Sequence, residues 1–297
     1  MELCRGIIAA IVTPFTKTEA VNYRELRRHV RRMLDAGVHG IFCLGTNGEF
    51  YALSESEKSR VVETVVDEVN GQVPVYAGSG EIATRTVIRL TKRFKKLGAD
   101  AVSIVTPYFI HPSQHELYHH YARIAVETEF PIILYNIPMR TNVRLEPETV
   151  AALAAGFGNI IGIKDSSGDL KLTQAYIEQT PDRFAVMGGN DGLILDTLLL
   201  GGTGAIAATA NVIPEILVNI YRAFQEGDLE HARMWQERVG PLRKDFSLGT
   251  APGVIKVQAN QCGYPVGPSR TPIMYDDPEV VAAIARNLRQ NYGLGDA

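Results

Sequence analysis

The chain has 297 residues, 45% of them hydrophobic and 21% charged, with a formal net charge of −3. That is ordinary for a globular protein with ample chain for a large core, and it excludes a low-complexity polymer. The 30 Lys and Arg residues are scattered among 33 acidic ones, so no basic stripe points to a nucleic-acid partner.

In chain order, residues 6–15 read as a strand and 23–35 as a helix that stops at Ala36-Gly37. Residues 40–45 follow as a strand. The next helix opens with the capping pattern Ser54-Glu55-Ser56-Glu57. The unit then repeats, strand before helix, as 73–78 and 83–97, 101–106 and 113–128, 131–136 and 146–155, 160–164 and 170–179, 184–189 and 192–200, and 204–208 and 214–225. The short runs are rich in Val, Ile or Leu and bounded by Gly or Pro, as strands buried on both faces are. Pro214 suits a first helical position. The expected fold is α/β, a closed (β/α)8 TIM barrel over residues 1–226. An open doubly wound sheet would want a Gly-rich turn after its first strand, where this chain has Thr13-Pro14-Phe15. Beyond Gly227 the strands stop. Residues 229–246, 252–261 and 278–292 read as helices, which makes 227–297 a C-terminal helical appendage packed on the barrel.

Cys4, Cys43 and Cys262 are odd in number and far apart, which fits neither a disulfide framework nor a zinc spacing. Together with the lack of signal-peptide organisation ahead of the first strand, this points to the reducing cytoplasm. No apolar run approaches the ~18 residues that span a membrane. The longest, residues 193–210, is interrupted by Asp196 and Gly201-Gly202.

In such a barrel the chemistry sits at the C-terminal ends of the strands. Strand two ends in Gly45-Thr46-Asn47-Gly48-Glu49, strand four in Thr106-Pro107-Tyr108-Phe109, and strand five in Tyr135-Asn136-Ile137-Pro138-Met139-Arg140-Thr141. Strand six, Ile160-Ile161-Gly162-Ile163-Lys164-Asp165, closes on an amine. Burial favours the neutral form of an amine, and a neutral amine is the nucleophile that forms Schiff bases with ketones. A phenol such as Tyr135 can move protons beside it, with Thr46 positioning it. Free backbone N–H groups in the 45–48 turn can hold a carboxylate. Each residue alone has an ordinary reading: a snorkelling lysine, a core tyrosine, a tight turn, a surface arginine. His111, His115 and His119 recur at i, i+4 and i+8 but have no completing ligand, and they read as a solvated helix face. Gly188-Gly189 and Gly201-Gly202-Thr203-Gly204 lack the lysine of a phosphate loop.

Taken together, the motifs resemble the dihydrodipicolinate synthase / N-acetylneuraminate lyase family of pyruvate-dependent class I aldolases and lyases, along essentially the whole chain. Gly45-Thr46-Asn47-Gly48-Glu49 looks like the family's carboxylate-binding turn, Tyr135-Asn136-Ile137-Pro138 its tyrosine segment, and Gly162-Ile163-Lys164-Asp165 its Schiff-base segment. The resemblance implies that Lys164 forms an imine with pyruvate. It implies that Tyr135 relays protons with Thr46 bonded to it, that the Thr46 and Asn47 amides hold the carboxylate, and that the Ile206 carbonyl lines the pocket. Arg140 matches the synthase branch, where it binds the carboxylate of aspartate semialdehyde, so condensation of pyruvate with L-aspartate 4-semialdehyde is the leading expectation. The resemblance also implies a homotetramer built as a dimer of dimers, with no metal or organic cofactor.

Three departures stand out. Phe109 occupies the place of a second tyrosine donated across the dimer interface. Asn47 replaces a threonine. Glu55, Lys58, Ile82 and Thr86 stand where lysine-inhibited members carry two histidines, an asparagine and a glutamate. These leave open a catabolic aldolase or dehydratase acting on a 2-keto-3-deoxy sugar acid or a hydroxylated 2-keto acid. A non-catalytic keto-acid-binding protein is a further alternative.

Overall fold

The apolar runs become eight parallel strands: β1 (Gly6–Ala10), β2 (Gly40–Cys43), β3 (Val75–Gly78), β4 (Ala101–Val105), β5 (Ile132–Asn136), β6 (Ile160–Asp165), β7 (Ala185–Gly188) and β8 (Gly204–Ala207). They pair in sequence order, and β8 returns to β1 to close the barrel. The structure is a computed structural model that describes residues 3–274 and 277–295. Every strand residue except Ile161 is buried, which is why these runs are continuously apolar rather than alternating.

Side chains alternate between two cores. Ile8, Phe42, Tyr76, Ile133, Met187 and Ile206 point inward and fill the barrel. Ile7, Ile41, Leu134 and Ile163 point outward into the larger core beneath the helices. Lys164 shares the inward parity of Gly162, and Asp165 the outward parity of Ile163.

The helices between strands are Tyr23–Asp35, Glu55–Val69, Thr84–Lys96, Gln114–Thr128, Pro147–Gly156, Leu170–Gln179, Ile194–Leu199 and Pro214–Gln225. The capping box at Ser54 and Glu57 forms as expected, and a second forms at Ser113 and Glu116. Proline opens the last helix, where its missing N–H is no loss.

Three expectations are corrected. The first strand ends at Ala10 rather than Phe15, because the Val12 amide bonds the Asn211 side chain (2.9 Å) and Phe15 turns to bridge Val21. The helix expected over 229–246 breaks into Leu229–Glu237 and Gly240–Lys244, because Pro241 has no N–H to continue the ladder. A short helix, Pro138–Thr141, forms where a loop was expected after β5. Ala251–Gln261 and Pro278–Tyr292 complete the helices beyond the barrel.

Two polar clusters tie these late helices down. Asp245 accepts hydrogen bonds from Gln258 and Asn287, both at 2.8 Å. Arg270 bonds Glu57 and, through its amide, Glu49 (3.0 Å). Among the described residues, no helix is long and apolar enough to cross a membrane.

Candidate active site

Strand pairing delivers the two central groups side by side. Tyr135 on β5 is in register with Lys164 on β6, and both project into the barrel mouth. Both are buried, at 4% and 5% exposure. The Lys164 Nζ lies 4.5 Å from the centre of the Tyr135 ring and 5.3 Å from that of Phe42. It makes no hydrogen bond or ion pair with any described residue. An amine with apolar walls and no carboxylate beside it is the arrangement that favours nucleophilic attack over salt-bridge formation.

Gly189 is required here by space. A Cβ at that position would fall 2.0 Å from the Ser166 Oγ and 3.0 Å from the Lys164 Cε. Asp165, next in the chain, faces away from the cavity. Its carboxylate accepts from Asn136, Ser167 and Thr173 and so anchors the loop after β6.

The Thr46 Oγ1 lies 3.4 Å from the Tyr135 hydroxyl, a long hydrogen bond. Thr46 and Asn47 lie in a turn closed by the bond from the Glu49 amide to the Thr46 carbonyl (3.1 Å). Neither the Thr46 nor the Asn47 amide donates to another described residue, which leaves two N–H groups for an anion. The far end of the turn is clamped. The Thr13 Oγ1 donates to the Gly48 carbonyl at 2.7 Å. Glu49, with no exposed surface, meets the ammonium of Lys256 at 2.6 Å, an ion-pair contact without hydrogen-bond alignment at Oε1. Burial pushes the Lys256 amine down to about 8 despite the opposing pull of Glu49.

These groups line a cavity of about 210 Å³ together with Ile206 and Arg140. All six residues singled out from the sequence thus meet at one place. Arg140 is exposed, without an ion pair among the described residues. It also borders an adjoining, more apolar cavity of about 290 Å³ walled by Phe50, Tyr51 and Tyr108. Phe109 contributes nothing to its own site: it is 84% exposed with φ of +73°, and Ile110 beside it is 59% exposed. His115 and His119 contact each other on an exposed helix face (3.1 Å).

Sequence reasoning missed Ser166, Asn190 and Arg243, which share the cavity wall, and the Glu49–Lys256 pair beneath the turn. Ser166 and Asn190 lie within a few residues of strand ends and could have been found by the same strand-end logic. Arg243 and Lys256 come from helices beyond the barrel, and no strand marks them.

Comparison with known proteins shows the family of the chain. Residues 3–291 match the dihydrodipicolinate synthetase family. A 4-hydroxy-tetrahydrodipicolinate synthase of Methanopyrus kandleri is 43% identical over 96% of this chain and 95% of its own. A DapA-like lyase of Halobacterium salinarum is 38% identical over 95% of this chain and 92% of its own. Among solved structures, a dihydrodipicolinate synthase superposes with a TM-score of 0.92 at 37% identity, covering 96% of this chain and 98% of that one. YagE of Escherichia coli K12, solved in complex with pyruvate, superposes with a TM-score of 0.94 at 31% identity, covering 97% and 99%. The reading as a non-catalytic keto-acid-binding protein is thereby set aside: the chain belongs to the dihydrodipicolinate synthetase family and is an enzyme of the lyase class.

Proposed function

We propose that the enzyme condenses pyruvate with L-aspartate 4-semialdehyde through an imine on Lys164, the reaction of 4-hydroxy-tetrahydrodipicolinate synthase. The observation that carries this is a buried amine beside Tyr135, without a partner among the described residues, in one cavity with Thr46 and Asn47, whose amides donate to no described residue.

The two amides hold the pyruvate carboxylate and so present C2 to the Lys164 Nζ. Attack gives a carbinolamine, and loss of water gives the imine. Tyr135, oriented by Thr46, is the group within reach to shuttle these protons. Removal of a proton from C3 gives the enamine, with the iminium nitrogen as the electron sink. C3 then attacks the aldehyde carbon, whose oxygen takes up a proton. Arg140 supplies a guanidinium for the carboxylate of the second substrate. The product's own amine attacks C2, closes the ring and displaces Lys164. One water leaves per turnover.

The test is reduction with borohydride in the presence of pyruvate, followed by peptide mass spectrometry. A reduced adduct on Lys164, absent from Lys164→Ala, is expected. No adduct in the folded wild-type protein overturns the imine reading.

A second reading keeps the imine and changes the partner. With Phe109 bearing no hydroxyl and Asn47 in the turn, the enzyme would instead cleave or dehydrate a 2-keto-3-deoxy sugar acid or a hydroxylated 2-keto acid. A panel of such acids left unconsumed beside rapid use of aspartate semialdehyde rejects it.

We place the enzyme in the cytoplasm, with residues 1–226 as the barrel and 227–297 as a helical region that buttresses the site. A homotetramer formed as a dimer of dimers would cover Phe109 and Ile110, whose exposure supports such a contact. Sedimentation as a monomer would reject it. Lys58 is ion-paired to Glu81, so free lysine at millimolar concentration is expected not to slow the reaction.

A further inference from the structure

The turn that carries the Thr46 and Asn47 amides is bent against backbone preference at both ends. Leu44, just before it, has φ of +60°, and Glu49, which closes it, has φ of +53°. Neither is glycine, and a bulky side chain disfavours this left-handed region. Such conformations persist only where the surroundings over-determine them, and they gather at sites that bind or react. Glu49 carries a second cost, since its carboxylate is taken wholly out of water.

The groups that hold this shape come from outside the turn. At the Leu44 end, Gly78 on β3 makes room: a Cβ there would fall 2.0 Å from the Leu44 carbonyl oxygen. At the other end, the Thr13 hydroxyl donates to the Gly48 carbonyl at 2.7 Å. Lys256, on the helix Ala251–Gln261, meets the Glu49 Oε1 at 2.6 Å, and the Arg270 amide donates to its Oε2 at 3.0 Å. The Arg270 side chain donates in turn to the carbonyls of Ala52 (2.7 Å) and Glu19 (2.8 Å) and to Glu57 (3.0 Å). One buried carboxylate thus ties the turn to two segments of the region beyond the barrel. Thr13, Glu49, Lys256 and Arg270 do not line the cavity that holds Lys164, so they act on a substrate only through the turn. Hydrogen bonds weaken steeply as they lose alignment, so the direction of the two amides decides how well they hold an anion.

We propose that Thr13, Glu49, Lys256 and Arg270 form a brace whose function is to aim the Thr46 and Asn47 amides at the carboxylate of the keto acid. They are positioning residues: they select ketones that carry a carboxylate and take no part in imine formation. The region beyond the barrel thereby shares in choosing the first substrate. The inference rests on the reading above, in which the two amides hold the carboxylate and Lys164 forms the imine.

The experiment measures borohydride trapping against ketone concentration for pyruvate and for methyl pyruvate, the same ketone with its carboxylate masked as an ester. Wild type is compared with Thr13→Val, Thr13→Ser and the double variant Glu49→Gln with Lys256→Met, each checked by thermal melting. Thr13→Val removes one hydrogen bond without burying a charge. The double variant removes the ion pair without leaving either charge alone. Both should raise the half-saturating concentration of pyruvate by about 10-fold or more, the worth of one charge-assisted hydrogen bond. Their trapping rate at saturating pyruvate, and their trapping of methyl pyruvate, should stay within about 2-fold of wild type, since the amine itself is untouched. Thr13→Ser keeps the hydroxyl and should behave as wild type. Equal loss for both ketones makes the network merely structural and overturns the brace, as does unchanged half-saturation by pyruvate. A wild-type enzyme that does not distinguish the two ketones overturns the carboxylate assignment, and failure to trap pyruvate in the wild type overturns the imine reading instead.

Discussion

Lys164 and Lys256 are both buried lysines, at 5% and 1% exposure, yet their surroundings are opposite. Lys256 meets Glu49, donates to the Pro268 carbonyl at 2.8 Å and sits 4.0 Å from the centre of the Phe15 ring. Its ammonium is committed to these three partners. Lys164 has rings for walls, no acceptor among the described residues, and a cavity in front of it. Burial therefore does not identify a catalytic lysine. The absence of a partner among the described residues, together with a space for one, marks the candidate.

Substitution at the two lysines should separate activity from stability. Lys164→Ala should lower condensation by more than about 10³-fold, because no second amine in the cavity can replace the nucleophile. Its urea midpoint should stay at or above the wild-type value, since an unpaired buried amine contributes nothing favourable to folding. A large loss of stability would make Lys164 a structural residue like Lys256. Tyr135→Phe should lower kcat by about 10²–10⁴-fold while leaving the pyruvate adduct on Lys164 detectable. An unchanged kcat would move the proton relay to another group.

Lys256→Met should cost about 3–5 kcal/mol of folding stability, because Glu49 would be left buried without its cationic partner. Glu49→Gln combined with Lys256→Met should recover most of that loss in denaturant titrations. If the single substitution leaves stability intact but raises the KM for pyruvate, the pair acts on the carboxylate turn alone.

Buried histidines extend the contrast to pH. Burial pushes His29 and His120 from 6.5 down to about 4, with Asn211 opposing the shift at His29. Between those values the unfolded chain binds protons that the folded protein refuses, so stability falls as pH drops from 6.5 towards 4. By pH 5 the loss is on the order of 2 kcal/mol per histidine. Glu57, held at about 2 chiefly by its hydrogen bond to Arg270, adds its own loss only below 4.5. Urea midpoints at pH 7.5 and 5 test this, and equal values would refute it. The smallest effect is expected at the exposed Arg140. Arg140→Ala should raise the KM for the semialdehyde by about 10-fold, the worth of one charge-assisted bond, and leave pyruvate trapping intact. Equal damage to both would make Arg140 structural.

The fold was legible because each unit carries two independent signals. A continuously apolar run says that both faces are covered, and an amphipathic stretch with a cap says what covers them. Residues 23–35, 170–179, 214–225 and 278–292 form helices with the expected limits. The first strand ran too long in the reading because Ile11 and Val12 are as apolar as a strand, and only the Asn211 side chain shows where pairing stops. Five of the six candidate residues were legible because strand ends share a rim in a closed barrel; Ile206 came only from the family resemblance. Arg243 was not, since helix Gly240–Lys244 carries no sign of the cavity it faces.

By itself, the sequence determined the alternation of strands and helices and the strand ends that bear an amine, a phenol and an arginine. These follow from periodicity and chain order, which are local. Tertiary structure alone decided which buried lysine is free. Partnering depends on what arrives from distant segments: Glu49 reaches Lys256, and among the described residues no carboxylate reaches Lys164. Desolvation and pairing act through space, and closure of the barrel brings those groups together.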